Sequence, residues 1–145
     1  MAHRARTTVQ TRRIALAYLQ RDDVNHTSAS DAQDLFEQGL ELLAANQAEK
    51  AVCAFRTAIS FDPAHYEAHH GLVRALRESG QLEQAVGAAL ALTALTPSDP
   101  LAHTALSIAL QQAGHIQEAE AAAARARIQE WRVQLQTPPQ QESGE

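Results

Sequence analysis

The chain has 145 residues, of which 45% are apolar and only 4% aromatic, and its net charge is -5. This length accommodates one domain with tails and excludes a two-domain enzyme. The negative charge argues against nucleic acid as the main partner, because a phosphate-binding surface needs a basic face. The apolar run at residues 88–95 is far shorter than the ~20 residues that span a bilayer, so we expect a soluble protein without membrane contact.

The first 21 residues contain no acid and are rich in Arg and Thr. A helix from about Thr8 to Arg21 would be amphipathic, with arginines on one side. Its other side would carry Val9, Ile14, Leu16, Ala17, Tyr18 and Leu19. We predict a basic helix that docks on the fold or on a partner; a cleaved organellar presequence and a disordered segment are the alternatives. Eleven Arg to one Lys, with abundant Ala, favour a bacterial source and lower the presequence alternative.

Polar segments lie on both sides of the central part of the chain. Residues 22–31 are rich in turn formers and are predicted to be a linker, so the head of the chain is residues 1–31. Residues 137–145 have nothing apolar to bury and are predicted to be a disordered tail. The folded body is therefore expected at residues 32–136.

That body repeats itself with a period of 34 residues. Residues that recur at this interval include Ala51, Ala85 and Ala119; Leu42, Leu76 and Leu110; Asn46, Gly80 and Gly114; Pro63 and Pro97; and His69 and His103. Apolar residues follow helical spacing on both sides of each Asn or Gly, which predicts two helices around one turn. Asn and Gly tolerate the left-handed conformation of a helix C-terminal cap. At the junctions between the repeated units, we expect Asp62 with Pro63, and Ser98 with Asp99 and Pro100, to start the next helix. Asp or Ser can cap a helix start, and Pro fits its first turn.

These units resemble tetratricopeptide repeats over about 70% of the chain, with units at residues 32–65, 66–99 and 100–133. The first unit matches best, through Leu35, Gly39, Leu42, Ala51, Phe55, Ala58 and Pro63. The second unit departs from the pattern at Val73, where Gly is usual, and at Ala89, where an aromatic residue is usual. The third unit departs from it at Ser107 and Ala123, and has Trp131 in place of the terminal Pro. The resemblance implies an all-α, right-handed α-solenoid of three helix-turn-helix repeats, with an N-terminal helix and an extended C-terminal helix. Without that Pro, the last helix should continue to about Gln136, where Trp131 and Leu135 would shield the last unit or form a contact surface; shielding is the expected outcome.

The sequence contains no motif that predicts catalysis or cofactor binding, and we expect no enzymatic activity. His65, His69 and His103 could form a metal site. The interpretation that we favour is that these imidazoles fill positions for large residues and hydrogen-bond locally, so no metal is predicted. Cys53 is the single cysteine, which excludes an internal disulfide, fits a cytoplasmic protein and is expected to be a structural thiol.

Function is therefore expected from the surface. The resemblance implies that the first helices of the repeats line a concave groove for a peptide or helix of a partner. The groove residues would be Gln33, Phe36, Leu40 and Leu43 of the first unit, Glu67, His70, Arg74 and Arg77 of the second, and Leu101, Thr104, Ile108 and Gln111 of the third. Phe36 and Leu40 stand where one subfamily has the Lys and Asn that clamp chaperone C-terminal carboxylates, so we do not expect that ligand.

Three functional hypotheses follow. The leading one is an adaptor that binds an apolar and acidic segment of a protein partner in the groove. The alternatives are a scaffold that self-associates through its N-terminal helix or the Trp131 stripe, and a secretion-type chaperone. A competing interpretation of the groove arginines is a solvated pair, with Arg74 matched by Glu78 one turn further on.

Overall fold

The computed structural model describes residues 24–139 and contains six helices there, with no strand among these residues. The helices are α1 (Val24–Ala44), α2 (Ala48–Phe61), α3 (Tyr66–Glu78), α4 (Leu82–Leu95), α5 (Pro100–Gln112) and α6 (Ile116–Gln136). The predicted all-α solenoid of paired helices, with an extended last helix, is confirmed. The predicted N-terminal helix at residues 8–21 and the tail beyond residue 139 lie outside the described residues.

The helices follow the 34-residue period of the sequence. α2, α4 and α6 begin at Ala48, Leu82 and Ile116, and α3 and α5 begin at Tyr66 and Pro100. Each helix packs against the next, and the first helices of neighbouring repeats, α1 with α3 and α3 with α5, also touch. These first helices therefore form a continuous wall on one side of the array. None of the helices at residues 24–139 is long and apolar enough to cross a bilayer.

The prediction of a linker at residues 22–31 is wrong from Val24 onward, because α1 begins there. The helix packs through Ala32, Phe36 and Leu43, which are buried. No Pro interrupts residues 24–44, and Ser, Thr and Asn are weak helix formers rather than helix breakers. The helix can therefore propagate from its packed part toward the N-terminus.

The turn inside each repeat ends its first helix with a left-handed residue, as predicted. The φ angles are 59° at Asn46, 80° at Gly80 and 89° at Gly114. The next amide donates back into the helix in every repeat, with Gln47 N–H bonded to the Leu42 carbonyl at 2.8 Å. The equivalent bonds in the other two repeats are 2.9 Å long. This is the Schellman arrangement, which satisfies carbonyls at a helix end.

The two junctions between repeats are built differently. At the second, Asp99 caps α5 as predicted, since its side chain accepts a hydrogen bond from Leu101 N–H at 3.0 Å, and Pro100 begins the helix. At the first, the prediction that Asp62 and Pro63 start the helix is wrong. His65 is the N-cap of α3 and its Nδ1 accepts from Ala68 N–H at 3.0 Å. Asp62 instead accepts from Ala64 N–H within the turn.

Small residues let one aromatic ring enter between two helices. Phe55 of α2 is fully buried. A Cβ atom added at Gly39 of α1, or at Gly71 of α3, would lie 2.6 Å from Cε1 of this ring. Both glycines are therefore needed for the ring to pack where α1, α2 and α3 meet.

Both ends of the array carry polar residues at positions that are apolar inside it. Asp34, Gln38 and Glu41 of α1 are exposed, whereas the residues 34 positions later in α3 are buried (Ala68, Leu72 and Ala75). At the other end, Glu120 of α6 is exposed at the position that Val52 and Val86 fill as buried residues. Stacking a further repeat directly on either face would bury charged groups, which is costly unless they are paired.

The expectation that Trp131 and Leu135 shield the last repeat is wrong. Trp131 is 71% exposed and Leu135 is 81% exposed. The buried residues of α6 are alanines, Ala119, Ala122 and Ala126, and the last of these lies five residues before Trp131. The helix therefore runs beyond the core that supports it. Cys53 is also exposed, on α2.

Candidate functional site

The concave side of the array holds a groove with a volume of about 490 Å³. All three repeats contribute to it through their first helices, α1, α3 and α5. Ten of the twelve predicted groove residues line it: Phe36, Leu40, Leu43, Glu67, His70, Arg74, Arg77, Leu101, Thr104 and Ile108. Gln33 is exposed and does not line it. Gln111 is also exposed and does not line it. It occupies the last turn of α5, where no further first helix follows to form an opposite wall.

The groove has a buried apolar floor and an exposed apolar rim. Phe36 and Leu43 are only 9% and 7% exposed and form the floor at the first repeat. The Phe36 ring is held by His65, whose ring centroid is 5.1 Å away. On the rim, Leu40 is 42% exposed and Leu101 is 61% exposed. Such exposed leucines flanking a formed depression can bury an apolar side chain of a ligand.

The charged residues of the groove are largely paired within the protein. Arg74 Nε lies 3.0 Å from a carboxylate oxygen of Glu78, which confirms the predicted pair one helical turn apart. Arg77 Nε donates to the side-chain oxygen of Gln112 at 2.8 Å, linking the second repeat to the third. The net positive charge of the groove is therefore smaller than a count of its arginines suggests, because Glu78 balances the charge of Arg74. Arg77 keeps its full charge, because glutamine does not neutralise it.

A chain of three polar side chains stands where the second and third repeats meet. The Tyr66 hydroxyl donates to Asp99, and His70 Nε2 lies 2.6 Å from the same hydroxyl oxygen. Because the Tyr66 hydroxyl donates its proton to Asp99, its oxygen accepts a hydrogen bond from His70 Nε2–H. Burial, together with the hydrogen bond to Asp99 and its charge, raises the pKa of Tyr66. Burial lowers the pKa of His70, although the charge of Asp99 opposes the shift. Both side chains thus stay neutral at pH 7.

His65, His69 and His103 hydrogen-bond to nearby groups of the protein, as the favoured interpretation predicts. His69 Nε2 donates to the Pro63 carbonyl at 2.8 Å, and His103 Nε2 donates to the Pro97 carbonyl at 2.7 Å. His65 Nε2 reaches Gln33 Oε1 at 3.0 Å. The repeated histidine therefore ties the loop between repeats to the helix that follows. Within residues 24–139, no group of three or more His, Cys, Asp and Glu side chains could hold a metal ion.

The sequence prediction missed four residues that line the groove: Tyr66, Gly71, Val73 and Ala105. Tyr66 could have been found, because it lies four residues before His70 on the same helix face. The other three are small or β-branched residues of the groove floor. These three residues line the groove because the helices pack closely, and close packing cannot be read from a residue pattern.

Comparison with known proteins supports the same architecture. The family model described as tetratricopeptide repeat matches residues 42–107. This match and the six-helix structure support the predicted tetratricopeptide repeats. No curated protein matches the sequence significantly.

Several solved structures share the fold. A chain of the CopN–Scc3 complex is 23% identical with a TM-score of 0.66, and the alignment covers 77% of this chain. It covers only 62% of that chain, so this protein spans less than two thirds of the relative's length. The type III secretion translocator chaperone SycD of Yersinia enterocolitica is 18% identical with a TM-score of 0.64, over 69% of this chain and 76% of its own. The TPR2AB domain of yeast Sti1, in complex with pHSP90, is 16% identical with a TM-score of 0.69, over 88% of this chain and 50% of its own.

Proposed function

We propose that this protein is a non-catalytic adaptor that binds a peptide or helix of a protein partner in its concave groove. The observation that carries the proposal is the groove itself, which residues from all three repeats line with exposed apolar side chains. Structurally similar proteins are described in complexes with other proteins, such as the Sti1 domain with pHSP90. That likeness supports protein binding in general and leaves the identity of the partner open.

The chemistry of the groove favours an apolar anchor followed by an acidic group. The anchor would bury against Phe36, Leu40 and Leu43, which gains about 1.5–3 kcal/mol for a Leu or Phe side chain. A carboxylate near Arg77 would add about 1.5–3 kcal/mol if it is partly shielded from water. Ordering of the ligand reduces this sum, so we expect a micromolar dissociation constant. A chaperone C-terminal tail is not the proposed ligand, because Phe36 and Leu40 offer no clamp for a carboxylate.

Site-specific photocrosslinking tests the groove directly. A photoreactive amino acid in place of Leu40, which is 42% exposed in the groove, should capture the partner in the native host. The same amino acid in place of Leu90, which is 53% exposed on α4 and does not line the groove, is the matched control. The captured protein is then identified and its binding segment is titrated by calorimetry.

The titration separates the two parts of the proposal. Phe36→Ala should weaken binding with little dependence on salt, whereas Arg77→Glu should weaken it most at low salt. If both variants bind as tightly as the parent protein, the groove is not the binding surface. If Phe36→Ala weakens binding but Arg77→Glu binds as tightly as the parent protein, the ligand is apolar and the acidic group is not part of it.

A secretion-type chaperone is the second candidate. It is favoured by the fold likeness to SycD, which is itself described as a translocator chaperone. In this case the captured partner would be a secreted protein that depends on this chain for solubility. Co-expression distinguishes the two functions, because an ordinary adaptor ligand stays soluble alone, whereas the chaperone's substrate precipitates without it.

A further inference from the structure

The last helix carries an apolar stripe that is separate from the groove. The stripe consists of Ala124, Ile128, Trp131 and Leu135. Its residues are four, three and four positions apart, a spacing that places them on one face of a helix. The buried alanines of α6 pack toward the repeats. At 3.6 residues per turn these alanines lie on the opposite face. The stripe therefore points away from the array, and Ile128, Trp131 and Leu135 are all at least half exposed.

The stripe is narrow. Its four residues lie within about 60° of the helix circumference at 3.6 residues per turn. This is the width of a coiled-coil seam, whereas helices that lie on a membrane present a broader apolar face. The spacing thus suits one partner helix laid along α6.

Arginines flank the stripe on both sides. Arg125 and Arg132 follow one edge and Arg127 follows the other. All three are exposed, and none forms an ion pair within residues 24–139. Glu130, the acid in this part of α6, lies beyond Arg127 and closer to the repeats. A helix docked on the stripe would therefore meet positive charge along both of its edges.

This charge pattern disfavours occupants supplied by the chain itself. An antiparallel pair of α6 helices would bring Arg125 of one copy beside Arg132 of the other, and a parallel pair would bring Arg127 beside Arg132. The first 21 residues of the chain contain five arginines and no acid, so they carry the same sign of charge. The residues after Thr137 include no large apolar side chain to cover the stripe.

We propose that the stripe docks an amphipathic helix of a partner protein, one whose apolar seam is flanked by acidic residues. Its apolar residues would pack on Ile128, Trp131 and Leu135, and its carboxylates would pair with the flanking arginines. Because this surface lies on the last helix and outside the groove, the protein could hold two partners at once. An adaptor with two such surfaces would bring those partners together.

The single tryptophan of the chain makes the proposal directly measurable. The full-length protein is titrated with two synthetic, tryptophan-free amphipathic peptides that share the same apolar residues. One peptide has Glu at the flanking positions and the other has Lys. The acidic peptide should shift the fluorescence of Trp131 to shorter wavelength in a saturable way, and its affinity should fall as salt is raised. The basic peptide should give no shift.

Matched variants locate the contact on the stripe. Leu135→Ala should weaken acidic-peptide binding about tenfold or more, as loss of a buried leucine predicts. Ile116→Ala, at the opposite end of the same helix and 52% exposed, should leave it unchanged. Arg132→Gln should weaken binding about two- to fivefold at low salt only. Phe36→Ala in the groove should have no effect, which keeps this test independent of the proposed groove function.

Each of the following results would overturn the proposal. Equal binding of both peptides, or of neither, would remove the charge argument. A larger shift with anionic phosphatidylglycerol vesicles than with the acidic peptide would assign the stripe to a membrane. If concentrating the protein alone shifts the Trp131 fluorescence and sedimentation shows a dimer, the stripe binds a second copy of the chain. If Trp131 of the Leu16→Asp variant emits at longer wavelength than Trp131 of the parent protein, the chain's own N-terminal segment covers the stripe.

Discussion

Replacing glycine by alanine should have opposite effects at two helical positions of this protein. Gly71 faces the fully buried ring of Phe55, and a new Cβ there would lie 2.6 Å from its Cε1 atom. Gly87 of α4 is exposed and has nothing within 4 Å of an added Cβ. Alanine gains about 0.5–1 kcal/mol over glycine in a helix interior. Overpacking in a core costs about 1–3 kcal/mol.

For Gly71→Ala the cost less the gain is about 0–2.5 kcal/mol, and we expect a destabilisation of about 1–2 kcal/mol, in the middle of that range. For Gly87→Ala we expect a stabilisation of about 0.5–1 kcal/mol. At about 4 °C per kcal/mol, the melting temperatures should move in opposite directions by several degrees. Thermal and urea unfolding followed by far-ultraviolet circular dichroism measure both. The Phe55→Leu background should reduce the cost of Gly71→Ala, because the shorter side chain removes the clash. If both glycine variants gain stability equally, the ring does not pack against α3 as described.

Three further predictions concern the junctions and turns. Asp99→Ala should lower the free energy of unfolding by about 1–3 kcal/mol, because it removes both the cap on α5 and the acceptor of Tyr66, and it should cost more than Tyr66→Phe in the same urea titration. The native pKa of His70 is lowered by burial, so the unfolded chain binds a proton more readily; stability should be intact above about pH 6.5 and fall as the pH drops below it. His70→Phe should flatten that fall between pH 7.5 and pH 5, and an unchanged slope would remove His70 as its cause. Asn46→Ala should cost about 1 kcal/mol because its φ is 59°, whereas Asn46→Gly should not; equal melting temperatures would contradict this.

The 34-residue period predicts the paired helices and their turns, whereas the groove was predicted from the resemblance to tetratricopeptide repeats. Asn46, Gly80 and Gly114 end helices through a backbone conformation that few other residues tolerate, so their spacing predicts the turns. Once the turns are placed, the resemblance implies which residues of each first helix face inward. Ten of the twelve residues predicted in this way line one groove.

The errors came from features that depend on tertiary neighbours. His65 caps α3 although imidazole is not a usual cap, and the preceding Asp62 looked like the better candidate. Gln111 has the right register for the groove, but no fourth first helix stands beside it. The exposure of Trp131 depends on where α6 leaves the core, and composition does not encode that point. In each case the local pattern is compatible with two outcomes, and packing selects one of them.

The free end of α6 leads to a last prediction, on local stability. No residue of α6 after Ala126 is buried, yet the helix continues for about three turns to Gln136. A helical segment this short is marginal in water without tertiary packing. Amide protons at residues 129–136 should therefore exchange through local opening that requires only about 0–2 kcal/mol. Core amides such as that of Ala85 should exchange only on global unfolding, at about 5–15 kcal/mol.

Hydrogen exchange followed by mass spectrometry or NMR checks this gradient along one helix. Protection should decline from Ala126 toward Gln136, and the acidic peptide that shifts Trp131 fluorescence should raise it there and leave the core unchanged. Leu135→Ala should remove that gain, because the docked helix would lose its contact. If residues 129–136 of the free protein exchange as slowly as Ala85, some contact already holds this helix end. The exposed stripe would then be a closed interface rather than an open docking surface.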